Sequence, residues 1–159
     1  MRATRSFGGA TTTAARPPVG EDGAVSNDTD VPLEVMVVDD HPGFRAAVRA
    51  SLALDGRCRA SLEASSVAEA LSLLDHAAHL PDLVLLDVNL GDPHLGAIDG
   101  MRGAAMIVER HPALPVLLCS TAPLDELPPM PRHAHVTFSP KELLDGDVLV
   151  DAVRSARSG

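Results

Sequence analysis

Apolar residues fall in short unbroken runs along the chain, and each run ends in a polar or charged group. Val35-Met36-Val37-Val38 ends in Asp39-Asp40, Leu83-Val84-Leu85-Leu86 in Asp87, and Val116-Leu117-Leu118-Cys119 in Ser120-Thr121. A shorter run, Val136-Thr137-Phe138, leads through Ser139-Pro140 to Lys141. Unbroken β-branched and aliphatic runs of this kind predict strands buried on both faces. Cys58–Ala64 alternates more weakly and predicts a strand at or near a sheet edge. Between the runs the period becomes helical. Phe44, Ala47, Val48 and Leu52 share one face of a helix that should start near Pro42 and stop by Gly56.

The same alternation continues downstream. Ser66-Val67-Ala68-Glu69 has the spacing of a capping box, followed by Val67, Ala70, Leu71 and Leu74 at helical intervals. A third helix is predicted from about Gly100 to Arg110, stopped by His111-Pro112, and a last one over roughly 145–157, with Val148, Leu149, Ala152 and Val153 inward. Strands alternating with helices imply βαβ units and a parallel sheet. The segment before the fifth strand breaks the pattern. Pro128, Pro129 and Pro131 forbid a helix through it and leave room for one or two turns between Leu124 and Leu127.

The first thirty residues are a different material. Residues 1–20 are rich in Thr, Ala, Arg and Gly without an acidic group, and 21–30 are acidic. No apolar core interrupts them, so no secretory signal is expected, and the superficial likeness to an organelle transit peptide is outweighed by a disordered tail over 1–31. The domain then spans 32–158, a size that sustains one buried core. A formal charge of −9 opposes binding to nucleic-acid backbones. The absence of Trp and Tyr, with only three Phe, removes stacking platforms for bases. No apolar run reaches the length of a membrane span. Cys58 and Cys119 lack metal-ligand spacing and read as buried thiols of a reducing, cytoplasmic protein, and the seven histidines are too scattered for a zinc site.

In open parallel α/β sheets, ligand chemistry gathers at the C-terminal edge of the strands. The strand ends here bring Asp39, Asp40, Asp87, the Ser120 hydroxyl and the ammonium of Lys141, the only lysine in 159 residues. Two carboxylates about 4 Å apart repel by roughly 4 kcal/mol at an effective dielectric near 20, so gathering several makes sense around a cation. Such a set suits Mg²⁺ and a phosphoryl group.

Four stretches, in order, resemble the receiver domains of bacterial two-component response regulators. They are Val37-Val38-Asp39-Asp40-His41-Pro42, Pro81-Asp82-Leu83-Val84-Leu85-Leu86-Asp87, Pro115-Val116-Leu117-Leu118-Cys119-Ser120 and Phe138-Ser139-Pro140-Lys141, and the resemblance covers about residues 33–157. It implies a flavodoxin-like, doubly wound five-stranded sheet of order 2-1-3-4-5, here with a disrupted fourth helix. It implies Asp87 as phosphoryl acceptor and Asp39 and Asp40 as the Mg²⁺-holding pair, with Asp40 direct and Asp39 acting through water. Asn89 falls where the family supplies a backbone carbonyl to the metal. Ser120 would hydrogen-bond the phosphoryl oxygens, Lys141 would pair with Asp87 and then with the phosphoryl group, and Phe138 sits at the position that switches rotamer. The implied partners are a sensor histidine kinase or phosphotransfer protein and a downstream protein target.

One spacing departs from the family. Thirteen positions separate Asp87 from Gly100, and the extra loop over 91–97 should overhang the site. The Asp-Asp-His-Pro start resembles receivers of DNA-binding regulators, yet the chain ends at Gly159 without room for a helix-turn-helix. A stand-alone, monomeric signalling receiver is expected, rather than an enzyme with turnover. Two alternatives are a pseudo-receiver that binds without phosphorylation and a haloacid dehalogenase-type phosphatase. The latter wants a second Asp where Asn89 stands.

Overall fold

The computed structural model describes residues 31–91 and 99–159. The expected tail, apart from residue 31, and most of the 91–97 loop lie outside the described residues.

Five parallel strands form one sheet of order β2-β1-β3-β4-β5: β1 (Leu33–Val38), β2 (Cys58–Ala64), β3 (Leu83–Asp87), β4 (Val116–Ser120) and β5 (Val136–Pro140). Among the described residues, three α-helices connect strands, α1 (Pro42–Asp55), α2 (Val67–His76) and α3 (Gly100–Arg110), and α4 (Gly146–Ser158) follows β5. The strand order, the edge position of β2 and the doubly wound architecture are those expected from the sequence. Alternate side chains of each strand point to opposite faces and divide the core in two. Met36, Val38, Val84, Leu86, Val116 and Leu118 pack beneath α2 and α3. Val35, Val37, Leu83, Leu85, Leu117 and Cys119 pack beneath α1 and α4.

Local chemistry sets the helix ends. Pro42 opens α1, and Gly56 closes it at φ 79°, a left-handed conformation cheap only for glycine. The Oγ of Ser66 accepts the Glu69 N–H at 3.2 Å. The returning Glu69 carboxylate reaches one residue further back than a capping box would, to the Ser65 N–H at 2.7 Å and the Ser65 hydroxyl at 2.8 Å. Asp99 and Asp145 cap α3 and α4 through the N–H groups of Arg102 and Val148.

Between β4 and β5 the chain forms a single 3-10 turn, Leu124–Glu126, where the prolines allow no more. A second such turn, Lys141–Leu143, follows β5. Among the described residues, no helix is long and apolar enough to cross a membrane.

The close approach of α3 to the end of β3 depends on Gly100. Its N–H donates to the Val88 carbonyl at 2.8 Å, and a Cβ at this position would lie 2.0 Å from the Asp87 carbonyl oxygen. Gly43, in the first turn of α1, has open space around it. The same substitution should therefore act with opposite sign at the two sites. Gly100→Ala is expected to destabilise by about 1–3 kcal/mol, because backbone must move. Gly43→Ala should stabilise by about 0.5 kcal/mol through lost unfolded-state entropy. Urea unfolding of the two variants checks both signs.

Candidate functional site

Parallel pairing places the C-terminal ends of β1, β3, β4 and β5 along one edge, and Val38 pairs with Leu86 while Asp87 pairs with Cys119. This register brings together the groups that the sequence delivers at its strand ends. Asp39 is fully buried, Asp87 and Ser120 are buried, and Lys141 retains 14% side-chain exposure.

Lys141 bridges the carboxylates. Its Nζ lies 2.7 Å from Asp39 Oδ2 and 3.4 Å from Asp87 Oδ2, so its tighter partner is Asp39. The second oxygen of Asp87 accepts the Asn89 N–H at 3.2 Å. The Asn89 side-chain amide reaches towards Ser120 Oγ at 3.5 Å, and that Oγ also accepts the Ala122 N–H at 3.0 Å. Phe138 is half-buried against the α2/α3 side of the core, and Ser139 beside it is buried.

Asp40 stands apart from the lysine. Its Oδ2 accepts the Gly91 N–H at 3.2 Å, while its Oδ1 is buried without a hydrogen-bond partner. One donor atom each from Asp39, Asp40, His41 and Asp87 lie within 4.8 Å of one another. A buried carboxylate oxygen left unsatisfied is costly, and the one ammonium meets only two of the three carboxylates. The donor set therefore fits a hard divalent cation.

Three contributors were not legible as site residues in the sequence. The apolar pattern puts Phe44 on the inner face of α1, and the structure adds that its ring centroid lies 4.1 Å from Lys141 Nζ. Arg45, the next residue, donates from Nη1 to the Asp39 carbonyl at 2.6 Å and braces the turn after β1. His41 places Nδ1 against both members of the acidic pair. Their position in the first turn after β1 was the available signal, because that turn must pass over the strand edge.

Burial is the largest influence on Asp39, Asp87, Cys119 and Lys141. It pushes Asp87 above the usual carboxylate range, with Lys141 and the Asn89 N–H pulling down and the Asp39 charge adding to the rise. For Asp39 burial also acts upward, but hydrogen bonds from Lys141 and His41 outweigh it and hold the carboxyl below its ordinary value. Burial acts to lower Lys141, and Asp39 and Asp87 together keep its ammonium above the ordinary value. Cys119 beneath them is pushed up to about 12 by burial and is a thiol at neutral pH.

A raised native pKa means that Asp87 contributes stability while protonated and that this is lost as pH rises through the raised value. In the absence of divalent cations, Asp87→Asn should therefore unfold at higher urea than the parent protein at pH 7.5. The gap should close below the ordinary carboxylate range, where Asp87 is protonated in both states. Asp39 acts in the opposite direction and is common to both proteins. Urea midpoints measured against pH give the comparison.

The comparisons with known proteins agree with this fold. The family model described as "Response regulator receiver domain" matches residues 35–127. The "Probable transcriptional regulatory protein NarL" of Mycobacterium tuberculosis is 38% identical over 96 residues, 60% of this chain and 41% of that protein. DegU of Brevibacillus brevis, also a transcriptional regulatory protein, is 25% identical over 130 residues, 80% of this chain and 51% of the relative. The chain thus spans about half or less of the length of these relatives. The solved receiver domain of NarL from M. tuberculosis superposes with a TM-score of 0.59 at 28% identity, covering 80% of this chain and 98% of that one. A CheY-like receiver from Methanospirillum hungatei shares the fold at 14% identity, with a TM-score of 0.59 over 81% of this chain and 100% of its own.

Proposed function

The chain belongs to the response regulator receiver domain family, and from that premise we propose that Asp87 accepts a phosphoryl group in a Mg²⁺-dependent relay. The donor is the phosphohistidine of a sensor kinase or phosphotransfer protein, and the output is contact with a downstream protein. The observation that carries this reading is the convergence of Asp87, Asp39 and Lys141 beside an Asp40 oxygen with no hydrogen-bond partner.

An oxygen of the Asp87 carboxylate attacks phosphorus, the donor's P–N bond breaks, and the imidazole leaves with the electron pair. The product is an aspartyl phosphate. Asp40, Asp87 and the Asn89 backbone carbonyl would hold the cation, with Asp39 acting through water. When bound, Mg²⁺ offsets the negative charge of the phosphoryl oxygens. Lys141 is already positioned between Asp39 and Asp87, so little reorganisation is needed for it to follow the incoming charge. The Ser120 hydroxyl at the end of β4 then donates a hydrogen bond to a phosphoryl oxygen, and Phe138 responds on β5. The ordered pairing of Lys141 with both carboxylates supports an active acceptor over a vestigial binding module. Asn89, an amide against Ser120, offers no second carboxylate for a phosphatase of the dehalogenase type.

Incubation with a small-molecule phosphodonor and Mg²⁺ should label the parent chain with a hydroxylamine-sensitive phosphate and leave Asp87→Asn unlabelled. Equal labelling of that variant would place the acceptor elsewhere. Lys141→Ala should slow labelling by on the order of 100-fold, the usual consequence of losing one preorganised charge-stabilising group. An unchanged rate would make Lys141 structural only.

The connection between β4 and β5 offers one 3-10 turn where a symmetric receiver dimer needs a full amphipathic helix. The chain accordingly acts as a monomer, contacting its target through the surface near Phe138 and α4. Sedimentation with and without beryllofluoride should give a monomer in both states at micromolar protein, and activation-dependent dimers would refute this assignment.

A further inference from the structure

We propose that His41 is a direct ligand of the divalent cation and that it tilts the site towards borderline first-row ions, Mn²⁺ and Co²⁺, relative to Mg²⁺. The proposal deepens the reading of Asp39, Asp40 and Asp87 as a cation site and rests on it.

The chain holds His41 in place by two local constraints. Pro42 at the first position of α1 disfavours helical backbone in the residue before it, and His41 is accordingly extended at φ −94° and ψ 108°. The His41 N–H donates to Asp39 Oδ1 at 2.8 Å, which pins the residue against the acidic pair. His41 occupies the N-cap of α1, where a side chain commonly turns back to accept helix N–H groups, but it makes no such bond. The ring turns to the carboxylates instead. Its Nδ1 lies 3.1 Å from Asp39 Oδ1 and 3.0 Å from Asp40 Oδ1, the buried oxygen that has no hydrogen-bond partner.

These separations are what cis ligands require. Octahedral bonds of about 2.1 Å put neighbouring donor atoms about 3 Å apart. Nδ1 and Asp40 Oδ1 therefore already stand at ligand spacing, with Asp87 within the same 4.8 Å group, while Asp39 stays behind its water. An all-oxygen set favours Mg²⁺, whereas one imidazole nitrogen adds preference along the series from Mn²⁺ to Co²⁺ and beyond. The side chain is 70% exposed, so the ring has room to adjust to the ion. That exposure also makes His41→Ala a safe replacement for the fold.

The test uses the full chain and Mn²⁺ as the probe. Binding is followed by loss of the free-ion electron paramagnetic resonance signal, in competition with Mg²⁺, for the parent protein and His41→Ala. Electron spin echo modulation of the bound Mn²⁺ reports a directly coordinated ¹⁴N. The expected result is a nitrogen signal in the parent that vanishes in His41→Ala, with the preference for Mn²⁺ over Mg²⁺ falling by about tenfold. Mn²⁺ bound without nitrogen modulation, or with an unchanged preference in His41→Ala, overturns the role of His41 and leaves the cation site standing. Failure of the parent to bind either ion overturns the cation site itself, and this inference with it.

Discussion

Carboxylates crowded at one edge of the sheet repel one another, and the ammonium of Lys141 is what allows two of them to be buried there. At about 4 Å and an effective dielectric near 20, one like-charge pair costs roughly 4 kcal/mol. Lys141 meets Asp39 and Asp87 together, and the ring of Phe44 gives the same ammonium a π face. A cation over an aromatic ring contributes about 0.5–2 kcal/mol, more as water is excluded. Asp40 is not reached by the lysine, so negative charge remains in excess. That surplus is the physical demand for a divalent ion. It also explains why the site stores instability: burial raises the Asp87 carboxyl above its ordinary range, and the neighbouring Asp39 charge adds to the rise.

The sheet exists, from the standpoint of this site, to bring distant residues to one edge. Asp39 and Lys141 are 102 positions apart in the chain and 2.7 Å apart in space. Parallel pairing does this without special loops, because every strand runs the same way and ends on the same side. The apolar runs guarantee that the strands cannot slip by one residue, since a slip would turn Met36 and Val38 towards α1 and break both halves of the core. Gly100 completes the arrangement, letting α3 start directly against the Asp87 carbonyl.

The connection between β4 and β5 is the part of the fold least like a regular βαβ unit. Pro128, Pro129 and Pro131 remove backbone donors and clash with preceding turns, so the chain crosses with Leu124–Glu126 as its one 3-10 turn. Leu127 and Met130 still pack on the core, which keeps the crossing in place without a helix. Ser120 stands at the start of this segment with Phe138 beyond it on β5. A phosphoryl group bound at Ser120 would therefore act on a surface of irregular backbone, and that surface differs from the helical face on which receivers ordinarily dimerise.

Much of this was legible in the sequence. Unbroken apolar runs fixed where the strands lie, glycine and proline fixed where helices stop, and the polar residue ending each run named Asp39, Asp40, Asp87, Ser120 and Lys141 as one set. These signals are local, since burial on both faces and a missing N–H act within a few residues. The structure decided what depends on distance across the sheet and on side-chain direction. Lys141 prefers Asp39 to Asp87, Phe44 serves the lysine as well as the core, Arg45 braces the Asp39 carbonyl, and His41 abandons its helix cap for the acidic pair. No period along a chain encodes such choices. They follow from strand register and from which rotamer fits once the neighbouring strands are in place.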